Sequence, residues 1–210
     1  MISAAQLGSA VLAFLVGAIP FSFLLARIFG GIDIRKVGSG NIGATNLARA
    51  RGLGVGVLGL ALDAAKGVAA VLLARAIVGG GAPGSAIEAV AGGAAVLGHA
   101  FTPFLRFKGG KGVATGAGVF GVLAPRALLV AVGIFILATA ASRMVSLGSV
   151  LAAAALPIAA LLLGSGRTVT LAALAIAALV VVRHRKNLAR IVHGSESRLG
   201  TGAGAPESGS

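Results

Sequence analysis

The chain has 210 residues, 57% hydrophobic and 11% charged, with a mean hydropathy of +1.02. Soluble domains carry roughly a quarter charged residues, so a water-facing globule is excluded and a lipid bilayer is the solvent that fits. Lys and Arg number 18 against five acids, but Trp and Tyr are absent and the nine Phe lie mostly in apolar runs, so the charge points to membrane-protein loops and away from nucleic acid.

A bilayer-crossing helix needs about 20 apolar residues. The first run, Gln6 to Ala26 within a predicted span at 5–27, has no basic segment before it and exceeds a signal-peptide core, so it reads as a retained anchor. A polar stretch follows, Gly38-Ser39-Gly40-Asn41-Ile42-Gly43-Ala44-Thr45-Asn46-Leu47-Ala48-Arg49. Its neutral hydrogen-bonding groups, punctuated by glycine, suit a polyhydroxylated phosphate ligand with Arg49 as a bidentate partner. A solvated turn with a helix cap has the same composition.

The next spans are 53–74 and 85–105. Asp63 and Lys66 stand three residues apart in the first of these and read as a structural ion pair. Glu88 is placed at the outer interface, and His99 is expected to satisfy a backbone carbonyl. Then comes Phe107-Lys108-Gly109-Gly110-Lys111-Gly112-Val113-Ala114-Thr115. Three glycines free the backbone to turn N–H groups toward an anion, two lysines add charge, and a helix start follows. It lacks Walker A spacing. A basic loop with glycine turns is the plain alternative.

The run 113–141 is too long for one span, and Pro125-Arg126 divides it into 113–124 and 127–141. Spans at 145–163 and 168–182 complete seven. With the N-terminus outside, seven spans place fourteen basic residues inside against three outside, whereas six give nine against seven. The positive-inside rule selects seven, with a cytoplasmic C-terminus. Gly54, Gly56, Gly59, Gly92, Gly93, Gly116 and Gly118 read as helix-packing positions. The fold expected is an all-α seven-helix membrane bundle, one domain over 1–197, with a flexible tail at 198–210. The segment His184-Arg185-Lys186-Asn187-Leu188-Ala189-Arg190, followed by Glu196, puts His184 and Asn187 on one helical face at the cytoplasmic mouth.

Five motifs now stand in order: Ser39 to Asn46, Asp63-x-x-Lys66-Gly67, Gly98-His99-x-Phe101, Lys108 to Thr115, and His184-x-x-Asn187-x-x-Arg190. Together they resemble the bacterial acyl-phosphate-dependent glycerol-3-phosphate acyltransferases, the PlsY family, over roughly residues 5–197. Ile191-Val192 departs from the leucines usual there, a matter of packing. The resemblance implies seven membrane helices in the bacterial cytoplasmic membrane. It implies transfer of an acyl group from acyl phosphate to the sn-1 hydroxyl of glycerol 3-phosphate, releasing lysophosphatidic acid and phosphate.

On that resemblance Ser39, Lys108, His184 and Asn187 are expected in catalysis. Asn41, Thr45, Asn46, Arg49, Gly109, Gly110, Lys111, Gly112, Thr115 and Glu196 are expected in substrate binding. An acyl phosphate arrives activated, so no enzyme nucleophile, metal or cofactor is required, and the chain offers neither a cysteine nor a Gly-x-Ser-x-Gly elbow. The hydroxyl proton is expected on His184 or on the donor phosphate, with the resemblance favouring the phosphate. No obligate protein partner is indicated. A transporter of organic phosphates would need a polar path at the midplane and commonly repeated halves. An acyl-CoA enzyme of the common type would carry His-x-x-x-x-Asp. Neither pattern occurs.

Overall fold

The computed structural model describes residues 3–79 and 84–200, so residues 201–210 of the expected tail lie outside the described residues. The described chain is all helix. Ten α-helices follow one another: α1 (Ala4–Ala18), α2 (Phe21–Ile28), α3 (Ala44–Arg51), α4 (Leu53–Ile77), α5 (Ala86–Ala100), α6 (Val113–Leu123), α7 (Pro125–Ser142), α8 (Val145–Leu162), α9 (Arg167–Arg183) and α10 (Arg185–Val192).

The first predicted span is broken, and the break explains a charge inside the membrane. Pro20 supplies no amide, so the last carbonyls of α1 lose helical donors. Thr102 Oγ1 donates to the Ala18 carbonyl at 2.7 Å and Lys66 Nζ to the Ile19 carbonyl at 2.7 Å. Lys66 is paired with Asp63 at 2.9 Å, and Ser22 donates to the other Asp63 oxygen at 3.0 Å. The expected ion pair is present, and its lysine also closes the kink. The third predicted span stops at Ala100 because Pro103 holds Thr102 in an extended conformation, and a 3-10 turn, Pro103–Leu105, follows. Pro125 opens α7, where its fixed φ suits the first helical position, so the division of 113–141 falls at Ala124.

Small residues set the helix spacing. A Cβ on Gly17 or Gly98 would land on the backbone of Ala95 or Phe14, which brings α1 against α5. A Cβ on Gly67 or Gly118 would land on the carbonyl of Thr115 or Ala64, which brings α4 against α6. Gly56, Gly59 and Gly92 likewise face Ala48, Leu47 and Val119, but Gly54 and Gly93 face open space. The main core lies among α6, α7, α8 and α9 around Phe120, Val119, Ala127, Ala160 and Ala173. A second core joins α2, α3 and the 3-10 turn Ile34–Lys36 through Leu25, Ile34 and Leu47.

Leu129, Leu137, Leu161 and Leu162 point away from the bundle, each more than 65% exposed. Held in water, such side chains would each forfeit about 2 kcal/mol of burial, so lipid is their medium. Among the described residues, four segments are long and apolar enough to cross a bilayer: Ala4–Ile28 taken through its kink, Leu53–Ile77, Pro125–Ser142 and Val145–Leu162. The pair α9 and α10, bent by 57°, makes a fifth if counted as one. Every predicted span has a helical counterpart, but α5 and α6 have only 15 and 11 residues.

At the end of the bundle remote from the polar loops, Glu88, in the first turn of α5, is fully buried within the protein. Arg75 grips it with two hydrogen bonds, of 2.7 and 3.1 Å, and the Gly84 amide adds a third at 2.9 Å.

Candidate active site

The stretch after α2 is shaped by one amide side chain. Asn46 is 2% exposed. Its Oδ1 accepts from the Ser39 amide at 3.0 Å, and its Nδ2 donates to the carbonyls of Ile34, Val37 and Asn41 at 3.1, 2.9 and 2.9 Å. Gly38 and Gly40, at φ +56° and +68°, supply the left-handed turns on either side of Ser39. Asn41 caps the turn by accepting from the Gly43 amide at 2.8 Å. Asn46 thus holds the loop, and it lines the cavity together with Ser39, Asn41, Thr45 and Arg49.

In the second segment Arg106 and Phe107 both take left-handed conformations, at φ +53° and +59°. The chain doubles back along the end of α5, where Gly109 N–H donates to the Ala100 carbonyl at 3.2 Å and Gly110 N–H to the His99 carbonyl at 3.0 Å. These two amides therefore bond the protein, which corrects the expectation that they face an anion. Residues Lys111, Gly112, Val113 and Ala114 line the cavity instead, at the start of α6. There the first-turn N–H groups have no intrahelical acceptor and the helix dipole favours an anion.

Gly110 backs onto the His99 ring, and a Cβ there would strike it. Among the described residues no carbonyl accepts from His99 Nδ1, contrary to expectation, and that nitrogen lies 3.7 Å from Asp63. Thr115 is fully buried, its hydroxyl has no hydrogen-bond partner among the described residues, and it lines neither the cavity nor the basic basin beside it.

The third segment folds over these two. His184 stands at the bend between α9 and α10, with Nδ1 2.8 Å from the Val180 carbonyl. A carbonyl only accepts, so Nδ1 carries the proton and Nε2 is left as an acceptor. Burial, then the nearby Lys111 charge, press the His184 imidazole down to about 4, so the ring is neutral near pH 7. Lys111 Nζ donates to Asn187 Oδ1 at 2.6 Å, and Asn187 Nδ2 donates to Glu196 Oε1 at 2.7 Å. Ser146, in the first turn of α8, donates to the same oxygen at 2.8 Å, and Arg190 Nε takes the other at 2.7 Å. Burial raises the Glu196 carboxyl, but the hydrogen bonds from Asn187, Ser146 and Arg190 outweigh it and hold the group below its usual range. Glu196 serves as an anchor for Asn187.

Three spaces meet here. An inner cavity of about 130 Å³ is lined by Ser39, Asn41, Thr45, Asn46, Arg49, Lys111, Gly112, His184, Asn187 and Glu196, and also by Asp63 and His99. It shares Ser39, Asn41, Lys111 and Asn187 with an outer basic basin of about 540 Å³ that also holds Lys108, Gly109, Arg183, Arg185 and Lys186. It shares Gly112, Val113 and Ser149 with an apolar groove between α6, α7, α8 and α9, walled by Phe120, Leu156 and Ile176. Sequence reasoning missed Ser146, Ser149 and Arg183. The serines sit in an apolar run, and Arg183 reads as an ordinary juxtamembrane charge, so no local pattern marked them.

The fold and this site define a class: an all-helical membrane protein whose basic, polar cavity adjoins an apolar groove. The glycerol-3-phosphate acyltransferase family profile matches residues 7–194, and the chain belongs to that family. Relatives named glycerol-3-phosphate acyltransferase include one from Jannaschia sp. (strain CCS1), 48% identical and covering 94% of this chain and 95% of its own. Another, from Anaeromyxobacter dehalogenans (strain 2CP-1), is 46% identical over 89% of this chain and 93% of its own. Among solved structures, PlsY (YgiH), an integral membrane glycerol 3-phosphate acyltransferase, superposes in its glycerol 3-phosphate form with a TM-score of 0.88, at 38% identity over 94% of this chain and 97% of that one. Its lysophosphatidic acid form gives a TM-score of 0.86 at 37% identity, with the same coverage. The chain is therefore a membrane acyltransferase by family.

Proposed function

We propose that this chain moves a fatty acyl group from acyl phosphate to the sn-1 hydroxyl of glycerol 3-phosphate, producing lysophosphatidic acid and inorganic phosphate. The observation that carries the reading is the junction of the three spaces: a phosphate-sized basic cavity shares one wall with a charged basin and another with an apolar groove. Two phosphorylated substrates, one of them bearing a long chain, match that division.

In the proposed step the sn-1 oxygen attacks the acyl carbonyl carbon. The bond from that carbon to the phosphate oxygen breaks, its electron pair leaves with phosphate, and the hydroxyl proton passes to the departing phosphate. His184, neutral and with a low proton affinity, orients the hydroxyl through Nε2 rather than retaining its proton. Ser39 and Asn187 fix the glycerol backbone, and Asn187 is itself set by Glu196. Arg49, Lys108, Lys111 and the first amides of α6 hold phosphate and offset developing negative charge.

The accompanying topology is seven crossings in a bacterial cytoplasmic membrane, N-terminus outside, with the site facing the cytoplasm. Helix α6, at 11 residues, is the shortest of these crossings, and the glycine loop before it lies at its cytoplasmic end.

Purified protein in lipid nanodiscs tests the reaction. Phosphate release from palmitoyl phosphate should depend on added glycerol 3-phosphate and match the lysophosphatidic acid formed. Equal turnover with palmitoyl-CoA would refute the donor, and release without acceptor would mark a phosphatase.

A further inference from the structure

One side chain outside the expected site touches both halves of it. Arg183, the last residue of α9, donates from Nε to the Gly110 carbonyl at 3.0 Å and from Nη2 to the Gly109 carbonyl at 2.8 Å. Its guanidinium lies 5.3 Å from the centre of the Phe101 ring. The amides of the same two glycines bond the carbonyls of Ala100 and His99. Both peptide edges of the glycine pair are therefore held, one by the end of α5 and the other by Arg183. The next residue in each direction is functional: Lys108 precedes the clamped pair and Lys111 follows it, while His184 follows Arg183.

We infer that Arg183 is a positioning residue, a two-pronged clamp that fixes the lysine-bearing glycine loop in register with the α9–α10 bend carrying His184 and Asn187. A planar fork aims two donors in fixed directions at two successive carbonyls; a lysine ammonium, a point charge on a flexible stem, does not hold them in one geometry. Stacking on Phe101 sets the plane of the fork. Loss of the clamp leaves two carbonyls without their donors and lets the loop drift, so Lys108 and Lys111 no longer meet phosphate at a fixed place.

This inference rests on the acyltransferase reading, and the experiment separates the two. Kinetics in glycerol 3-phosphate are measured for Arg183→Ala, Arg183→Lys and Lys111→Ala, with melting temperature recorded for each. Two lost charge-assisted hydrogen bonds predict that Arg183→Ala lowers kcat/KM by about 10- to 100-fold, chiefly through KM. Arg183→Lys is expected to recover less than about a tenth of the wild-type value, since charge alone does not rebuild the fork. Methylguanidinium should restore activity to Arg183→Ala, because Arg183 borders the open basin and the added cation can occupy its place. A gap in packing alone would not respond to a hydrogen-bonding cation.

Wild-type kinetics in Arg183→Ala beside an inactive Lys111→Ala would overturn the clamp and leave the reaction standing. Full activity in Arg183→Lys would also overturn it. Should the alanine variant fail to fold, the lysine variant decides alone: a reduced kcat/KM at an unchanged melting temperature supports the clamp, and an unreduced one defeats it. Normal turnover in Lys111→Ala would instead sink the phosphate-loop reading beneath both.

Discussion

Burial brings the Lys111 ammonium down to about 8; the Glu196 charge opposes this, and Arg190, Arg49 and Arg183 add to it. The group therefore loses its charge as pH rises through about 8, within the range where the protein can be assayed. A bound phosphate favours the charged form, so substrate and deprotonation compete. KM for glycerol 3-phosphate is expected to rise about tenfold per pH unit above that point. In Lys111→Arg the guanidinium stays charged, and the rise should move out of range even if the rate falls. A wild-type KM that is flat from pH 7 to 10 would remove this ammonium from the binding step.

Among elements, the approach of α4 to α6 shapes the site, because the start of α6 lines the cavity, as does Asp63 of α4. Gly118 and Gly67 permit it. Gly118→Val would drive its side chain onto the Ala64 carbonyl and part the helices, at a cost of about 1–3 kcal/mol or more. Melting in detergent should fall accordingly, whereas Gly54→Ala, with open space at its Cβ, should stay within about 0.5 kcal/mol of wild type. Equal melting of the two variants would mean the contact is slack.

The same elements show what could be read in advance. Apolar runs and Pro125 located the helices, because length and proline act locally. Pro20 was passed over, since a kink whose carbonyls are met by Thr102 and Lys66 leaves the run apolar and continuous. The glycine pair was legible as unusual, but its amides turn toward α5, a choice made by Arg106, Phe107 and Arg183 from outside the motif. Asn46 and Glu196 were legible as site residues; the partners that occupy them, Ile34, Val37 and Ser146, lie in other segments.

For the whole molecule, the proposed crossing number is open to labelling without any background, because the natural sequence has no cysteine. Lys36→Cys and His193→Cys, both at exposed positions near the polar loops, should react with a membrane-impermeant maleimide only in inverted vesicles. Arg126→Cys and Ser165→Cys, at the opposite turns, should react only in right-side-out ones. Labelling of His193→Cys from the outer face would undo the seven-span arrangement.

The wall that Gly112, Val113 and Ser149 share between the polar cavity and the apolar groove is one residue thick. On the proposed reaction, a molecule with an ionic head and an oily tail can lie across that partition while each part keeps its own medium. Donor then enters and product departs by sideways diffusion in one monolayer, without an insoluble species ever passing through water. Turnover should consequently follow the mole fraction of donor among the surrounding lipids. Diluting a fixed amount of donor with inert phospholipid would slow the reaction, even though its quantity per millilitre is unchanged.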